Sequence, residues 1–155
     1  MDKVIVVDAK KCTGCKTCEV VCSFVNSKQF SPLKTRIKNF VDLEAAFFYS
    51  LTCFQCEEAP CVKVCPAGAL NRDEGVVRLD ASKCLGCKLC VLTCPFGAAR
   101  FDEQDKIAIK CEQCGGDPQC VAACPSGALK FEPVYKMGAE KQALLFQKLK
   151  KTAAG

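Results

Sequence analysis

The sequence predicts an α+β fold in which one small cysteine-rich unit occurs twice. Three observations indicate this: a chain of 155 residues contains 16 cysteines, these fall into four groups of nearly constant spacing, and turn-forming residues separate the groups. No cysteine is left over. The groups are Cys12, Cys15, Cys18 and Cys22; Cys53, Cys56, Cys61 and Cys65; Cys84, Cys87, Cys90 and Cys94; and Cys111, Cys114, Cys120 and Cys124.

The spacing is typical of a binding site for a cubane 4Fe–4S cluster. Three cysteines at i, i+3 and i+6 can curl around one compact group, because adjacent ligands are at most roughly 10 Å apart on an extended chain. A fourth cysteine follows four residues later, and in two-cluster proteins with this run it binds the other cluster. Four groups therefore predict four 4Fe–4S clusters and a chain that moves electrons.

The differences between the groups indicate an internal duplication. Groups one and three read C-T-G-C-K-T-C-E-V-V-C and C-L-G-C-K-L-C-V-L-T-C, whereas groups two and four have a longer middle gap. Groups two and four continue into near-identical exit segments, P-A-G-A-L at 66–70 and P-S-G-A-L at 125–129. Group three shares this exit in part, at 95–98, and group one lacks it. The chain is interpreted as a duplicated two-cluster unit.

The predicted elements follow in chain order. Val4 to Val7 is a short strand, and Glu19 to Val25 and Val91 to Cys94 are short helices that follow the third cysteine of their groups. Leu70 to Val77 predicts a hairpin with an Asp-Glu-Gly turn. Phe101 to Ile109 predicts a second hairpin of the same kind.

Residues 23–52, between groups one and two, form an insertion longer than the other connections. Within it, Leu33 to Val41 alternates apolar and polar residues, and Ala45 to Leu51 can pair with it through a turn at 42–44. Two interpretations stay open. Lys34, Arg36 and Lys38 either guard the exposed edge of a covered hairpin or belong to a docking platform for a partner.

Residues 132–155 are predicted to form a C-terminal tail with a docking helix from Ala139 to Lys151. Its stripe contains Gln142, Leu145, Phe146 and Leu149. A lone helix of about 13 residues is marginal in water, so it should dock on its own domain, on a partner subunit or on another copy of the chain.

Composition and absent motifs exclude several functions. There is no histidine, which excludes Rieske ligation and a histidine general base. Neither a dinucleotide-binding G-x-G-x-x-G nor a Walker A loop occurs. No apolar run approaches the roughly 18 residues that cross a bilayer, and the apolar stretch at the N-terminus is too short for a signal peptide. We therefore expect a cytoplasmic, non-catalytic protein without a membrane span.

The net charge and the size of the hydrophobic core are also consistent with bound clusters. The formal net charge is +5, but each cluster with four thiolates adds about −2, which leaves about −3 (5 − 8) for the loaded chain. The basic pI is then no argument for nucleic acid as a partner, and no motif for it occurs. Without the cysteines the hydrophobic content is lean, so clusters must replace part of the core, and cluster-free protein should be largely unfolded.

Zinc and disulfides are the alternative uses of so many cysteines. Structural zinc sites consist of separated CxxC pairs, without a third cysteine at i+6 or a trailing Cys-Pro. A disulfide framework needs an oxidising compartment, which nothing in the sequence indicates. The regular groups of four favour iron–sulfur clusters over both.

With four groups in this order, including the stretched second and fourth, the chain resembles the four-cluster iron–sulfur subunits of molybdopterin and tungstopterin oxidoreductases. The same family includes the ferredoxin-like partners of carbon monoxide dehydrogenase and hydrogenase. The resemblance covers residues 1–131 and implies two ferredoxin-like modules, with an inner module at about 53–100 nested in the outer one.

The resemblance also implies how the cysteines are shared. Cluster 1 would be bound by Cys12, Cys15, Cys18 and Cys124; cluster 2 by Cys111, Cys114, Cys120 and Cys22; cluster 3 by Cys53, Cys56, Cys61 and Cys94; and cluster 4 by Cys84, Cys87, Cys90 and Cys65. Spacing alone leaves open a sequential alternative that exchanges Cys22 with Cys65 and Cys94 with Cys124.

Three functional hypotheses remain. The chain is an electron-transfer subunit of a tungsten- or molybdenum-pterin enzyme, such as an aldehyde oxidoreductase, or of a carbon monoxide dehydrogenase or hydrogenase; a freely diffusing polyferredoxin; or a filament of conducting protomers. A flavin-containing subunit or further copies of the chain are additional candidate partners. Lys16 and Lys88, placed identically in groups one and three, are either solvated lysines or charges that raise cluster potentials.

Overall fold

The computed structural model describes residues 3–136 and confirms the predicted α+β class. Within these residues, eight short strands form four two-stranded antiparallel sheets, accompanied by four α-helices. The strands are β1 (Lys3–Val7), β2 (Lys38–Asp42), β3 (Phe47–Leu51), β4 (Leu70–Asp73), β5 (Val76–Leu79), β6 (Arg100–Asp102), β7 (Ile107–Ile109) and β8 (Leu129–Pro133). The helices are α1 (Thr17–Ser27), α2 (Pro60–Lys63), α3 (Leu89–Thr93) and α4 (Gln119–Ala122).

The pairing of these elements brings distant parts of the sequence together. β1 pairs with β8, with Ile5 opposite Phe131, whereas the other three sheets are hairpins of consecutive strands. α1 packs on α4, and α2 packs on α3. The first cysteine group therefore lies beside the fourth, and the second beside the third.

Local sequence explains how the helices and hairpins begin and turn. α1 and α3 each start directly after a lysine in the left-handed conformation, Lys16 with φ 60° and Lys88 with φ 61°. The β4–β5 turn has positive φ at both central residues, Glu74 (47°) and Gly75 (80°), as a type I′ hairpin requires. The predicted hairpins at 70–77 and 101–109 are both present.

The buried core is divided into two parts, and cysteines belong to both. The first contains Ile5, Ile37 and Leu129 together with Cys18, Cys22, Cys111 and Cys120. The second contains Ala59, Leu70, Val77, Cys90 and Ala108. Thiols thus occupy positions that aliphatic side chains fill in an ordinary domain.

The insertion differs from its predicted form. The strand expected over Leu33 to Val41 begins only at Lys38, and residues 33–37 are irregular. Charged side chains of this segment pair with other elements. Lys34 contacts Asp102 and Asp105, while Arg36 contacts Glu112 and Lys38 contacts Glu19. All three side chains are therefore held in ion pairs.

The sequence also predicted a helix near the C-terminus and no membrane-spanning segment. The helix predicted from Ala139 to Lys151 lies outside the described residues. Among residues 3–136, none of the helices has the length and apolar character needed to traverse a bilayer.

Candidate iron–sulfur sites

Four cavities in the structure are each lined by four cysteines, three from one group and one from another. Their volumes are about 280, 320, 380 and 380 Å³ for sites 1 to 4, including space that opens to solvent. All sixteen cysteines are free. Site 1 contains Cys12, Cys15, Cys18 and Cys124; site 2, Cys22, Cys111, Cys114 and Cys120; site 3, Cys53, Cys56, Cys61 and Cys94; and site 4, Cys65, Cys84, Cys87 and Cys90.

Short helices connect the sites in pairs. α1 carries Cys18 at site 1 and Cys22 at site 2, four residues apart, which is about 6 Å along a helix axis. Each of the other helices and the residues directly after it span two sites in the same way. They contribute Cys120 and Cys124 at sites 2 and 1, Cys61 and Cys65 at sites 3 and 4, and Cys90 and Cys94 at sites 4 and 3.

The exit segments after groups two, three and four direct backbone N–H groups toward the last cysteine of each group. At Cys65, burial is the largest single effect and raises the pKa of the thiol, but N–H groups of residues 67–70 together outweigh it, so the pKa is lowered. The same balance lowers the pKa of Cys94, through residues 96–99, and of Cys124, where the Ser126 hydroxyl also contributes. These loops stabilise a thiolate, which is the form that ligates iron.

Cysteines deeper in the sites have the opposite shift. Burial raises the pKa of the thiols of Cys18, Cys56, Cys61, Cys90 and Cys111, and at Cys120 the repulsion of neighbouring thiolates adds to burial. In the absence of a positive metal core these thiols stay neutral. Cluster binding must therefore release their protons, and it is coupled to the formation of the buried site.

Group one lacks the exit segment, and the insertion provides the donors instead. The Arg36 backbone N–H lies 3.2 Å from Cys22 Sγ, and the Asn26 side-chain amide lies 3.6 Å from the same sulfur. At site 1, Asn39 Nδ2 donates to Cys18 Sγ at 3.2 Å. Neither Asn26 nor Asn39 was singled out in the sequence. Asn26 lies four residues after Cys22 on α1, so helical spacing could have indicated it, whereas the contact of Asn39 depends on how the insertion folds over group one.

Another residue missed in the sequence is Lys110, which is only 3% exposed and lines site 3. Its ammonium group donates to Gln55 Oε1 at 3.2 Å and to the carbonyl oxygens of Val77 at 3.1 Å and Cys111 at 3.3 Å. Gln55 is itself buried and donates to the Cys111 carbonyl at 2.8 Å. A positive charge is thus held between site 3 and the first cysteine of site 2.

The two lysines singled out in the sequence have different surroundings. Lys88 Nζ is 2.6 Å from Glu103 Oε1 and 4.3 Å from the centre of the Phe101 ring, so its charge is paired at the surface. Lys16 is exposed at the start of α1.

Two of the sixteen cysteines are exposed, Cys15 and Cys87. Cys15 belongs to site 1 and Cys87 to site 4, whereas every cysteine of sites 2 and 3 is at least half-buried in the fold. Sites 1 and 4 are therefore the ones nearest solvent.

The residues present fit a 4Fe–4S cluster at each site. Four thiols from two segments of the sequence line each cavity, which is the ligand set of a 4Fe–4S cluster. The remaining lining of sites 3 and 4 is mostly apolar, whereas sites 1 and 2 also contain polar side chains. At sites 1 and 2, backbone and side-chain N–H groups are directed at the sulfurs of Cys18 and Cys22, and such hydrogen bonds help to set the potential of an iron–sulfur cluster.

Comparison with known protein families decides the classification. The profile of a family described as a 4Fe-4S dicluster domain matches residues 44–134, more than half of the chain, and a second profile with the same description matches residues 11–70. This protein belongs to the 4Fe-4S dicluster family. The resemblance seen in the sequence is confirmed, and two dicluster domains with sixteen cysteines account for four 4Fe–4S clusters.

Several relatives of this dicluster protein have names that refer to electron transfer or to reductases. It is 42% identical over 108 residues to the electron transport protein HydN of Escherichia coli (63% of this chain and 59% of HydN). It is 40% identical over 115 residues to the thiosulfate reductase electron transfer subunit PhsB of Salmonella typhi (70% and 60%). It is 36% identical over 119 residues to a polypeptide of the anaerobic dimethyl sulfoxide reductase of Escherichia coli (68% and 58%). The matched part spans about three fifths of each of these relatives.

A solved structure supports the fold. The active site complex BamBC of benzoyl coenzyme A reductase contains a chain that superimposes with a TM-score of 0.51 at 22% identity, covering 99% of this chain and 97% of that one. The predicted ferredoxin-like α+β fold is thereby confirmed.

Proposed function

We propose that this dicluster protein is a non-catalytic subunit that relays single electrons through four 4Fe–4S clusters held at sites 1 to 4. The observation that carries the proposal is the set of four cavities, each lined by four cysteines, with an exposed thiol only at sites 1 and 4. A bound 4Fe–4S cluster supplies a one-electron couple. The protein fixes the ligands, excludes water and directs hydrogen-bond donors at sulfur.

The sites are connected in an order that suits a relay. Helices join site 1 to site 2 and site 3 to site 4. Cys53 of site 3 packs against the core that contains Cys22 and Cys111 of site 2, which brings the two pairs together. The four sites are then connected in the order site 1, site 2, site 3 and site 4. An electron would enter at one exposed end and leave at the other.

The same contacts support a nested domain arrangement. Sites 3 and 4 form an inner module at about 53–100, and sites 1 and 2 form an outer module that is completed by the β1–β8 pair. Residues 23–52 are an insertion between them, and residues 132–155 are the tail. None of the sixteen cysteines is in a disulfide, and a reducing cytoplasm is the compartment that we propose for the protein.

The proposed partner is a catalytic oxidoreductase subunit. Relatives whose names place them in thiosulfate and dimethyl sulfoxide reductases support attachment to a larger enzyme. The family resemblance favours a tungsten- or molybdenum-pterin enzyme such as an aldehyde oxidoreductase. HydN is named an electron transport protein rather than a subunit, which favours a diffusing carrier as the alternative.

Anaerobic purification tests the cofactor content. We expect about sixteen iron atoms and sixteen sulfides per chain, and signals of four reduced cubanes by electron paramagnetic resonance after reduction with dithionite. Cys15→Ala and Cys87→Ala should each alter one cluster and leave the other three. A zinc-loaded protein without inorganic sulfide would contradict the proposal.

Isolation from the native host separates a subunit from a carrier. A tagged chain that is a subunit should co-purify with a catalytic protein at a fixed stoichiometry through size-exclusion at high salt. Recovery of the loaded chain alone, still able to accept electrons from several donors, would favour the diffusing carrier.

A further inference from the structure

The β2–β3 hairpin of the insertion covers site 1. Phe48 on its inner face lies against Gly14 in the cluster-binding loop, so closely that a Cβ atom on Gly14 would be 2.6 Å from the Phe48 ring. Asn39 and Ser50 are opposite each other in the register and are 8% and 2% exposed. The hairpin thus buries two polar side chains beside the thiols of site 1.

These two side chains form a short series of hydrogen bonds that ends on sulfur. One hydrogen of Asn39 Nδ2 is directed at Cys18 Sγ, 3.2 Å away, and the other at Ser50 Oγ, 3.0 Å away. Because Ser50 Oγ accepts from Asn39, its own O–H is available for the sulfurs of Cys18 at 3.7 Å and Cys12 at 4.0 Å. A cluster thiolate has no hydrogen of its own, so it can only accept.

The position of Asn39 is fixed from its other side by the helix. Its backbone N–H donates to Glu19 Oε1 at 2.6 Å, and Glu19, which is 6% exposed, also contacts Lys38 Nζ at 3.5 Å. The carbonyl oxygen Oδ1 of Asn39 is buried without a hydrogen-bond partner among the described residues. An apolar residue would avoid that unfavourable burial, so packing alone does not account for an amide at this place.

Site 4 provides an internal comparison, since it is built on the same C-x-G-C-K-x-C sequence. Cys90 is the counterpart of Cys18, and no side-chain hydrogen bond to Cys90 occurs within residues 3–136. The β6–β7 hairpin follows group three and packs on site 4, where the Lys106 carbonyl oxygen would be 2.7 Å from a Cβ atom on Gly86. Among residues 3–136, however, none of its side chains donates to Cys90. Sites 1 and 4 therefore share a ligand loop but differ in the donors that reach it.

We propose that Asn39, supported by Ser50, is a positioning residue that raises the reduction potential of the cluster at site 1 above that of the cluster at site 4. Hydrogen bonds to cluster sulfur stabilise the more negative, reduced state. Of the two exposed ends of the relay, the one covered by the hairpin then holds an electron more readily. This inference depends on the ligand sets of the proposed function.

Potentiometric titration of the loaded protein, followed by electron paramagnetic resonance, tests the inference. Cys15→Ala and Cys87→Ala first identify which reduction step belongs to site 1 and which to site 4. In Asn39→Leu, the reduction potential of the site 1 step should become more negative by about 59 mV, which corresponds to a tenfold smaller equilibrium constant for one-electron reduction. Ser50→Ala should move the same step in the same direction by less.

Asn26→Leu is the matched control, because it removes a side-chain amide donor from Cys22 of site 2. It should move a different step and leave that of site 1 in place. The inference is overturned if Asn39→Leu and Ser50→Ala keep four clusters and leave the site 1 step unmoved, or if Asn26→Leu moves that step equally. Fewer than four reducible clusters in the wild-type chain would instead contradict the proposed function.

Discussion

Gly86 lies between two ligands of site 4 and has a left-handed backbone, with φ at +67°. A Cβ atom at this position would be 2.7 Å from the backbone carbonyl oxygen of Lys106, which cannot move without shifting the β6–β7 turn. Gly97 has a similar φ of +63°, but no atom lies within 4 Å of the place where a Cβ would be. The two glycines therefore separate the effect of backbone conformation from that of close contact.

Alanine substitutions at these glycines should have unequal effects. Gly97→Ala should lower the free energy of unfolding by about 1–2 kcal/mol, the cost of a left-handed alanine, whereas Gly86→Ala should lower it by roughly 1–3 kcal/mol more because of the clash. The measurement is the denaturant concentration at which half of the visible cluster absorbance is lost. Equal midpoints for the two variants would show that the Lys106 contact relaxes without cost.

Lys110 is a charged residue that the fold buries beside site 3. Its three acceptors are neutral, and no carboxylate lies within ion-pair distance of it among residues 3–136. A buried ammonium group is unfavourable unless an anion compensates it. The thiolate-bound cluster at site 3, which Lys110 lines, is a suitable anion.

Replacing this charge should therefore change one potential. In Lys110→Met we expect the site 3 cluster to become harder to reduce by about a tenfold change in equilibrium constant, about 59 mV for one electron. Lys83→Met is the control, because Lys83 also precedes the first cysteine of its group but is 62% exposed and paired with Asp80. A shift in Lys83→Met as large as in Lys110→Met would contradict a specific effect of burial.

At the scale of elements, the irregular part of the insertion is held by the β6–β7 hairpin. The Arg100 guanidinium group donates to the carbonyl oxygens of Thr35 at 2.9 Å, Leu33 at 3.1 Å and Pro32 at 3.3 Å. Lys34 adds its ion pairs to the same hairpin. These contacts replace the strand pairing that residues 33–37 lack.

Loss of the Arg100 contacts should loosen this segment. In Arg100→Met, the opening free energy of residues 31–37 should fall by about 1.5–3 kcal/mol, the range for hydrogen bonds to a charged group, and amide hydrogen exchange there should accelerate. Arg78→Met should leave exchange in this segment unchanged, since the ion pair of Arg78 within residues 3–136 is a 3.9 Å contact with the exposed Asp73, away from residues 31–37. Unchanged exchange in Arg100→Met would mean that other contacts hold the segment.

The elements that the sequence predicted well are those with a local cause. The β4–β5 hairpin follows from its Asp-Glu-Gly turn, and α1 and α3 lie at the third cysteine of their groups, where the spacing predicted short helices. The β1–β8 pair was not predicted, because it joins residues more than a hundred positions apart. The start of β2 at Lys38 was not predicted either, because residues 33–37 contact Arg100 and distant acidic residues, which their own alternating pattern does not reveal.

In the iron–sulfur sites, too, the features with a local cause in the sequence were predicted and those that depend on the fold were not. Cysteine spacing identified all the thiols, but the residues around them, Asn39, Ser50 and Lys110, belong to no motif. Their contacts with the sites depend on the fold of the insertion and on the packing of the two modules. The sharing of cysteines between groups came from family resemblance, since spacing alone permitted two arrangements.

At the scale of the whole molecule, the clusters and the core occupy the same space. Four of the seven buried residues in the first core are cysteines. Burial favours the neutral form of several of these thiols, so binding a positively charged cluster core releases their protons as the buried site forms. The folded chain is then stabilised mainly by what the thiols bind.

Removal of the clusters should therefore unfold the protein. After anaerobic treatment with an iron chelator and a reductant, we expect far-ultraviolet circular dichroism to show loss of most helix and strand signal, because cluster binding and folding share one free energy. Reconstitution with iron and sulfide should restore both the spectrum and the visible absorbance, whereas zinc alone should restore neither. A cluster-free chain that still unfolds cooperatively on heating would show that the aliphatic core, with Ile5, Ile37 and Leu129 at its centre, suffices to specify the fold.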